Sequence, residues 1–515
     1  MMAQDIVVGS GPSGLAAAMA LIARGRDVLM LDAGIEMDAD AQALRTRMGA
    51  GAPDDWSGAD REAIGAVRRS EKSDSIRPFG SDFLFRVPAE MAAFDAPNAV
   101  HALRPSFAKG GLSNGWGAST LPYHARDLDD WPIDLTDLAP HYQTIAPMIG
   151  MSAQRDGLTD FFDAVPITEE RPLPQSRQAT QILSRMEKKR AELDRIGVHF
   201  GASRQAIAPG CLACAMCLYG CPYGLIFNAA VQVERLAAEG SLRYQGGVIV
   251  TGFSEHGDGV TVHSTQGVFE GERLFIAAGV LPTAQLALGS LGLADRWLTI
   301  LDSQHFYLPM LQRWSSGHPA HEPRHTLAQM FWEIDDPAVD PHIVHAQLYT
   351  YNDTYAPDME RRFGPFAGLA KPLIEAMSQR LIVAQTFLHS DVSPAIGVRL
   401  TGAGARARLE YKRIDNAGTA AAIERAKRRI AQAGRLGGLI PLTPLLRPGS
   451  LGSSFHCGGT LPMRTSPEAG ETDVLGRPAG WKRVHIVDAS VLPTIPAPTI
   501  TFSVMANAHR IANSA

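Results

Sequence analysis

The chain of 515 residues has only five cysteines, and four of them fall between Cys211 and Cys221. Cysteines so few and so clustered cannot staple a large protein through a disulfide framework; in a reducing cytoplasm, the expected setting, such grouping points instead to metal or redox chemistry. No window reaches about 18 uninterrupted apolar residues, so no membrane span is expected. The nearest candidate, Leu369 to Leu388, is interrupted by Lys371, Glu375 and Arg380 and reads as a packed helix leading into a strand. No charged leader followed by an apolar stretch precedes the first strand, so no secretory signal is visible. A formal net charge of −5 leaves no basic footprint for nucleic acid or an anionic membrane. The cations of Ala422 to Arg435, "AIERAKRRIAQAGR", fall on one helical face, which is expected to be solvated.

What is present begins at residue 5. The stretch "DIVVGSGPSGLAAAMALIARGRDVLMLDAG" places a short apolar strand, Asp5 to Val8, before Gly9, Gly11 and Gly14, then a helix rich in small residues and a second strand, Val28 to Leu31, ending at Asp32. Each part has a physical task in holding a dinucleotide. Gly9 permits the tight turn, Gly11 lets a pyrophosphate approach the backbone, and Gly14 lets helix and strand pack closely. The phosphates sit at the helix N-terminus, where unpaired N–H groups and the helix dipole favour negative charge. The Asp32 carboxylate can accept from both ribose hydroxyls. This motif does not separate FAD from NAD.

Three further stretches do. "AKGGLSNGWG" (Ala108 to Gly117) is a second glycine-rich loop; "LFIAAGVLPTAQLAL" (Leu274 to Leu288) is a buried strand breaking at Gly279 into a helix capped by Pro282 and Thr283. "SSFHCGGTLPM" and "VDASVLPTIPAPTITFSVMANAHRIA" close the chain. Together they resemble the glucose–methanol–choline (GMC) oxidoreductase family, FAD enzymes that oxidise alcohols, over residues 5–34, 108–120, 211–235, 274–288 and 455–513.

The resemblance implies that Gly110, Gly111, Ser113 and Asn114 lie along the FAD pyrophosphate and flavin edge. It also implies that Asp488 and Ala489 contact the pyrophosphate–ribityl portion and that the Val248–Val250 backbone approaches the adenine, which makes Val250 a cofactor residue. Relatives that bind flavin covalently use a histidine where this chain has Gly115, so non-covalent FAD is expected. His456 falls on the family's catalytic histidine, and an imidazole suits the task of taking the proton that an alcohol sheds as its hydride moves to flavin N5. The family's second His or Asn corresponds to Ala497, whose methyl can neither donate nor accept; Thr499 and Thr501 are the local substitutes. Losing one preorganised donor costs on the order of 2.7–4 kcal/mol of transition-state stabilisation.

Cys211, Cys214, Cys217 and Cys221 are spaced C-x2-C-x2-C-x3-C-P, as in iron–sulfur loops, and sterol-oxidase-like and bacterial sugar-dehydrogenase branches of the family carry a cysteine-rich loop here. A [3Fe–4S] or [4Fe–4S] cluster passing electrons to an external acceptor fits this spacing; so do buried structural thiols or a disulfide.

The expected architecture is α/β, a Rossmann-type FAD domain with a substrate domain of mostly antiparallel sheet plus helices. The FAD domain takes residues 1–40, 95–150, 205–300 and 450–515, the substrate domain 151–204 and 301–449, and an excursion or lid 41–94. Phe306, Tyr307, Phe331, Trp332, Tyr349 and Tyr351 either line a substrate pocket or pack the sheet. The expected function is an FAD-dependent alcohol or sugar dehydrogenase acting on a small alcohol or carbohydrate, with electrons leaving to an acceptor other than NAD. The alternatives are a flavin isomerase, epimerase or lyase with no net oxidation, and an electron-transfer flavoprotein.

Overall fold

A computed structural model describes residues 3–70, 77–94, 100–402 and 408–515. Residue 95, the expected start of the second FAD segment, and residues 71–76 of the excursion lie outside these.

The first two apolar runs form adjacent parallel strands, Ala3–Val8 and Val28–Leu31, with Ile6 opposite Leu29. Gly267–Ile276 and Arg243–Gln245 flank them, and Val484–Ile486 pairs with the far end of Gly267–Ile276, all in parallel. Strands covered on both faces are expected to read as continuous hydrophobic runs, as "IVV" and "LFI" do. An antiparallel flap, Val250–His256 and Gly259–Ser264, extends this sheet. Asp5, buried at the start of the first strand, is neutralised by Arg26 and Arg273 at 2.8 and 2.7 Å. The helix Pro12–Ala23 buries Leu15, Ala16 and Leu21 against the sheet and against the helix Ile500–Ser514. Its small side chains allow the close approach.

A second sheet is antiparallel throughout: Leu439–Pro441, His305–Gln312, Leu381–Phe387, Val344–Tyr349, Met330–Ile334 and Val198–Ala202, in that order. Side chains alternate between its faces with a period of two. Phe306, Leu308, Trp332, Ala346, Leu348 and Ile382 occupy one face and form a separate core with the helices Arg177–Glu187 and Thr419–Leu436. The other face carries His305, Tyr307, Glu333, His345, Gln347, Gln385 and Phe387. A third sheet, built from Arg408–Ile414, Ala395–Thr401, Leu298–Asp302 and Cys457–Gly458, packs Ile300, Ile396 and Val398 into the first core and carries the His456 loop.

Two local readings need correction. The helix after Gly279 runs from Val280 to Ser290, with Gly279 at its cap in a left-handed conformation (φ 86°). Pro282 and Thr283 lie inside its first turn, and the Thr283 hydroxyl bonds the Asp488 carboxylate instead of capping. The helix Ala367–Ser378 does lead into a strand, but it is not packed all round: Leu369 is 89 % and Leu373 55 % exposed.

Candidate active site

A cavity of about 1100 Å³ runs between the parallel sheet and the third sheet. Gly9, Gly11, Asp32, Gly111, Val250, Asp488 and Ala489 line it. Gly9 is left-handed (φ 99°), and a Cβ there would collide with the Ala277 carbonyl. Gly14 faces away from the cavity: a Cβ at that position would strike the Gly9 carbonyl, so Gly14 sets helix–strand packing. The two glycine loops meet at Gly11 and Gly111. A Cβ on Gly111 (φ 57°) would lie 3.2 Å from the Gly11 Cα.

Gly110, Ser113 and Asn114 brace this cradle from behind. Ser113 Oγ donates to the Gly110 carbonyl at 2.6 Å and accepts the Ala229 amide at 2.9 Å. Asn114 Nδ2 donates to the Lys109 and Gly111 carbonyls, each at 2.8 Å, and Asn228 holds its oxygen at 2.9 Å. Ser10 is therefore a residue of the cradle that the motifs did not single out, and Asn228, at the end of the run after the cysteine loop, braces it. Ser10 Oγ donates to Asp32 while accepting the Gly110 amide, which joins the two loops. Tyr244 also donates to Asp32, at 3.2 Å, and burial pushes the Asp32 carboxyl up to about 6.

Three helices begin on this cavity: Pro12–Ala23, Val280–Ser290 and Ile500–Ser514. None has a side-chain cap or an acidic residue in its first turn. Their unpaired N–H groups and dipoles converge on a space that suits an elongated polyanion. Asp488 ties two walls together, accepting from the Gly279 amide at 2.9 Å, the Thr283 hydroxyl and the Ser490 amide at 2.9 Å. The donor set, the glycine cradle and the carboxylate at the second strand's end fit FAD.

His456 stands where the cavity meets the antiparallel sheet. Its neighbours Phe455 and Cys457 line the cavity, while its ring stacks on Phe387 with centroids 4.6 Å apart. Asp302, far away in sequence and not anticipated, shapes the loop. It accepts from the Gly452 amide at 2.7 Å, the Ser454 hydroxyl and the Cys457 thiol at 3.4 Å. Phe455 is held left-handed (φ 57°), a strained state for a bulky residue, and stacks on Phe85. Burial, with His345 and His305 nearby, pushes the His456 imidazole down to about 3, so it is neutral at ordinary pH. Its Nδ1 is buried without a hydrogen-bond partner. Ala497 is fully buried. Of its substitutes, Thr499 donates its hydroxyl to the Ser119 carbonyl at 2.8 Å, whereas Thr501 lines the cavity.

The aromatic residues separate by parity. Phe306 and Trp332 belong to the second core; Tyr307 and Tyr349 stand on the polar face. There Tyr349 donates to Gln347 at 2.9 Å and Gln385 to Tyr307 at 3.3 Å.

The four clustered cysteines are free thiols, so the disulfide reading does not hold. Burial pushes Cys214 up to about 12 and Cys217 up to about 11, and the neighbouring thiols push both the same way. The amides of Ala213 and Met216 bond the Cys211 and Cys214 sulfurs, and Thr326 bonds that of Cys217. Ala213 and Ala215 are both left-handed, and right-handed Met216 follows; the Ala215 amide turns away from the sulfurs to the Arg324 carbonyl at 2.9 Å. The 41–94 excursion buttresses this loop: Ala41, Leu44, Met48 and Phe79 form a small core with Met216 and Tyr219. No three of the cysteine sulfurs come within 4.8 Å of one another; among the described residues, the one group that brings three ligand atoms so close is His342, His389 and Asp391. Its two imidazoles stack 3.6 Å apart, so their in-plane lone pairs run parallel and do not converge on one ion.

Comparison with known proteins bears on these features. Residues 407–508, which carry the His456 loop, Asp488 and most of the Ile500–Ser514 helix, match the family model described as GMC oxidoreductase. Over that C-terminal segment the chain is similar to the GMC oxidoreductases. Among solved structures, pyridoxine 4-oxidase from Mesorbium loti superposes with a TM-score of 0.60 at 15 % identity, covering 99 % of each chain. The shared fold combines the Rossmann-type sheet with the antiparallel one, as the sequence leads one to expect. A search of curated proteins finds no match. No helix among the described residues is long and apolar enough to cross a membrane.

Proposed function

We propose that this protein is an FAD-dependent dehydrogenase of small hydroxylated substrates, with His456 as the catalytic base. The observation that carries the reading is the His456 imidazole itself, neutral, with an unpartnered buried Nδ1, between the cofactor cavity and a polar sheet face. FAD, when bound, supplies the hydride acceptor. The protein's own groups do the rest. Gly11, Gly111 and the three helix starts hold the pyrophosphate, Asp32 holds the ribose, and Asp488 fixes the loop that meets the ribityl chain. His456 takes the hydroxyl proton of the substrate. Tyr307, Gln385, Gln347 and Tyr349 offer hydroxyl and amide groups that suit a polyol or carbohydrate better than a sterol.

The cysteine loop belongs to the same reading. Four half-buried thiols in ferredoxin-like spacing, three of them accepting backbone N–H bonds, suit an iron–sulfur cluster that carries electrons singly to an external acceptor. The 2-electron chemistry at the alcohol would then end at an acceptor other than NAD.

The test is anaerobic mixing of purified protein with a panel of alcohols: D-glucose, glycerol, pyridoxine and benzyl alcohol. At least one is expected to bleach the flavin of the native protein once, stoichiometrically, and the His456→Ala variant is expected to bleach slower by about 10²-fold or more. A variant that bleaches at the native rate overturns the assignment of the base. Sustained turnover with no acceptor present would replace oxidation by an isomerase-type reaction.

A further inference from the structure

Asp32, in the wall of the cofactor cavity, is a buried carboxylate held by neutral donors. The Ser10 hydroxyl, the Ser10 amide and the Tyr244 hydroxyl bond it. Lys109 acts on it only through space, because the Lys109 ammonium bonds Glu234 at 2.7 Å and Glu36 at 3.2 Å. Burying a charge without a counter-ion is costly, and a contacting arginine would lower that cost. An arginine fork, however, takes both oxygens of a carboxylate. Here both side-chain donors take the same oxygen, Oδ2, so neither occupies Oδ1.

The Tyr244 hydroxyl is placed by several elements at once. Its strand, Arg243–Gln245, is the edge of the parallel sheet, and register sets Tyr244 opposite Met30, two residues before Asp32 and on the same face. A hydroxyl on an edge strand can reach water, yet this one is aimed inward, 3.2 Å from Asp32 Oδ2. Glycines make room for it: a Cβ at Gly34 would lie 2.7 Å from the Tyr244 oxygen, and one at Gly246 3.2 Å. Lys109 Nζ stands 5.3 Å from the centre of the ring. Lys109 directly precedes Gly110, whose amide donates to Ser10 Oγ at 2.8 Å. Ser10 and Tyr244 thus grip Asp32 from two sides, and the second glycine loop joins them. Burial and the Asp32 charge raise the Tyr244 phenol, so it keeps its proton and is the donor.

We propose that Tyr244 is the positioning residue for the adenosine end of the cofactor, holding Asp32 by one oxygen so that the other meets the ribose hydroxyls. This rests on the reading of the cavity as an FAD site. Ribose hydroxyls donate to the ionised carboxylate, so the charge state of Asp32 sets how firmly FAD is held. In the empty site burial pushes that carboxyl up to about 6, against the Ser10 and Tyr244 bonds that favour the ionised form. As pH falls through about 6, Asp32 takes up a proton and FAD affinity declines; above that value it stays level. Removing the Tyr244 hydroxyl moves the decline to higher pH. The other titratable groups around Asp32 are Lys109 and the two carboxylates that hold it, Glu36 after the second strand and Glu234 on the helix Ala229–Ala238. All three keep their places in a Tyr244→Phe variant, whose ring still lies beneath Lys109.

The experiment measures FAD retention without any substrate. Holoprotein is diluted in buffers between about pH 5 and 8.5, and bound and free flavin are separated by ultrafiltration. At about pH 7.5, Tyr244→Phe is expected to bind FAD about tenfold or more weakly than native, the worth of one hydrogen bond to a charged group. The pH at which its affinity begins to fall is expected to lie at least about 0.5 higher, a change that mere loss of packing does not produce. In an Asp32→Asn background, which carries no charge to orient, the same tyrosine change is expected to cost less than about twofold. Should Asp32→Asn not accumulate folded, the pH profile of Tyr244→Phe decides alone. Native affinity and a native pH profile in Tyr244→Phe overturn the inference, as does an equal cost in both backgrounds. A native protein that takes up no FAD overturns the cofactor reading and this inference with it, whereas a native protein that holds FAD beside a native-like Tyr244→Phe sinks this inference alone.

Discussion

Gly111 shows how much of the cofactor site rests on single atoms that are missing. It is left-handed, and its Cα faces that of Gly11 across the cradle. A methyl group there has two consequences: the backbone conformation becomes unfavourable by roughly 1–2 kcal/mol, and the added carbon stands 3.2 Å from Gly11 Cα, in the cradle itself. Gly111→Ala is therefore expected to fold and to lose flavin during purification, read as a drop in the ratio of visible to ultraviolet absorbance. Gly14→Ala should behave differently, destabilising the fold itself, because its Cβ would strike the Gly9 carbonyl rather than a ligand. The motif glycines were legible in the sequence because a turn announces itself locally. Asp302 and Tyr244 were not. Each is an ordinary residue in an ordinary strand, and its meaning comes from what the fold sets beside it: Tyr244 at the Asp32 carboxylate, Asp302 beneath the His456 loop.

At the scale of elements, alternation along the antiparallel strands was readable, but not which parity faces the core. Phe306 and Tyr307 are neighbours and both aromatic; only the helices laid over one face decide that Phe306 is packing and Tyr307 is half-open. The misread cap at Pro282 and Thr283 has a similar origin. Both residues suit a first turn, and the bond that matters, Thr283 to Asp488, joins parts of the chain far apart in sequence. The cysteine loop is an element whose shape depends on a neighbour. Gly220 packs against the Phe79 ring and Tyr223 donates to the Gly51 carbonyl at 3.0 Å, both contacts from the excursion. Phe79→Ala removes a buried aromatic, a change that costs about 3–5 kcal/mol in a well-packed core. On the proposed cluster reading, the expected result is less iron and sulfide per flavin than in the native protein, checked by metal analysis beside the visible spectrum. Equal iron in both proteins would show that the loop holds its shape alone.

Across the whole molecule, buried ionisable groups couple stability to pH. Asp127, after the second glycine loop, has one carboxylate oxygen on the His124 amide at 3.0 Å and the other buried without a partner. Burial pushes its carboxyl up to about 7, above the value of 3.8 it would have unfolded. The native state therefore binds the extra proton between these values, and the stability it contributes is lost as pH rises through about 7. Asp127→Asn never carries the charge. Its melting temperature is expected to exceed the native one at about pH 8.5, and the advantage to shrink steadily as pH falls below about 7, vanishing only below the unfolded value of 3.8. Buried histidines such as His305 and His485, pushed down to about 4, act in the opposite sense but equally in both proteins, so they cancel in the difference. The helix Pro12–Ala23 and the helix Ile500–Ser514 wall the same cavity, and Arg24 donates to the Ala512 carbonyl at 2.8 Å. During synthesis, then, the first glycine turn must wait, half-built, until nearly five hundred further residues have emerged. Capture of the proposed yellow prosthetic group is therefore expected late in the life of each molecule, and a chain stopped short of residue 500 should leave the ribosome colourless.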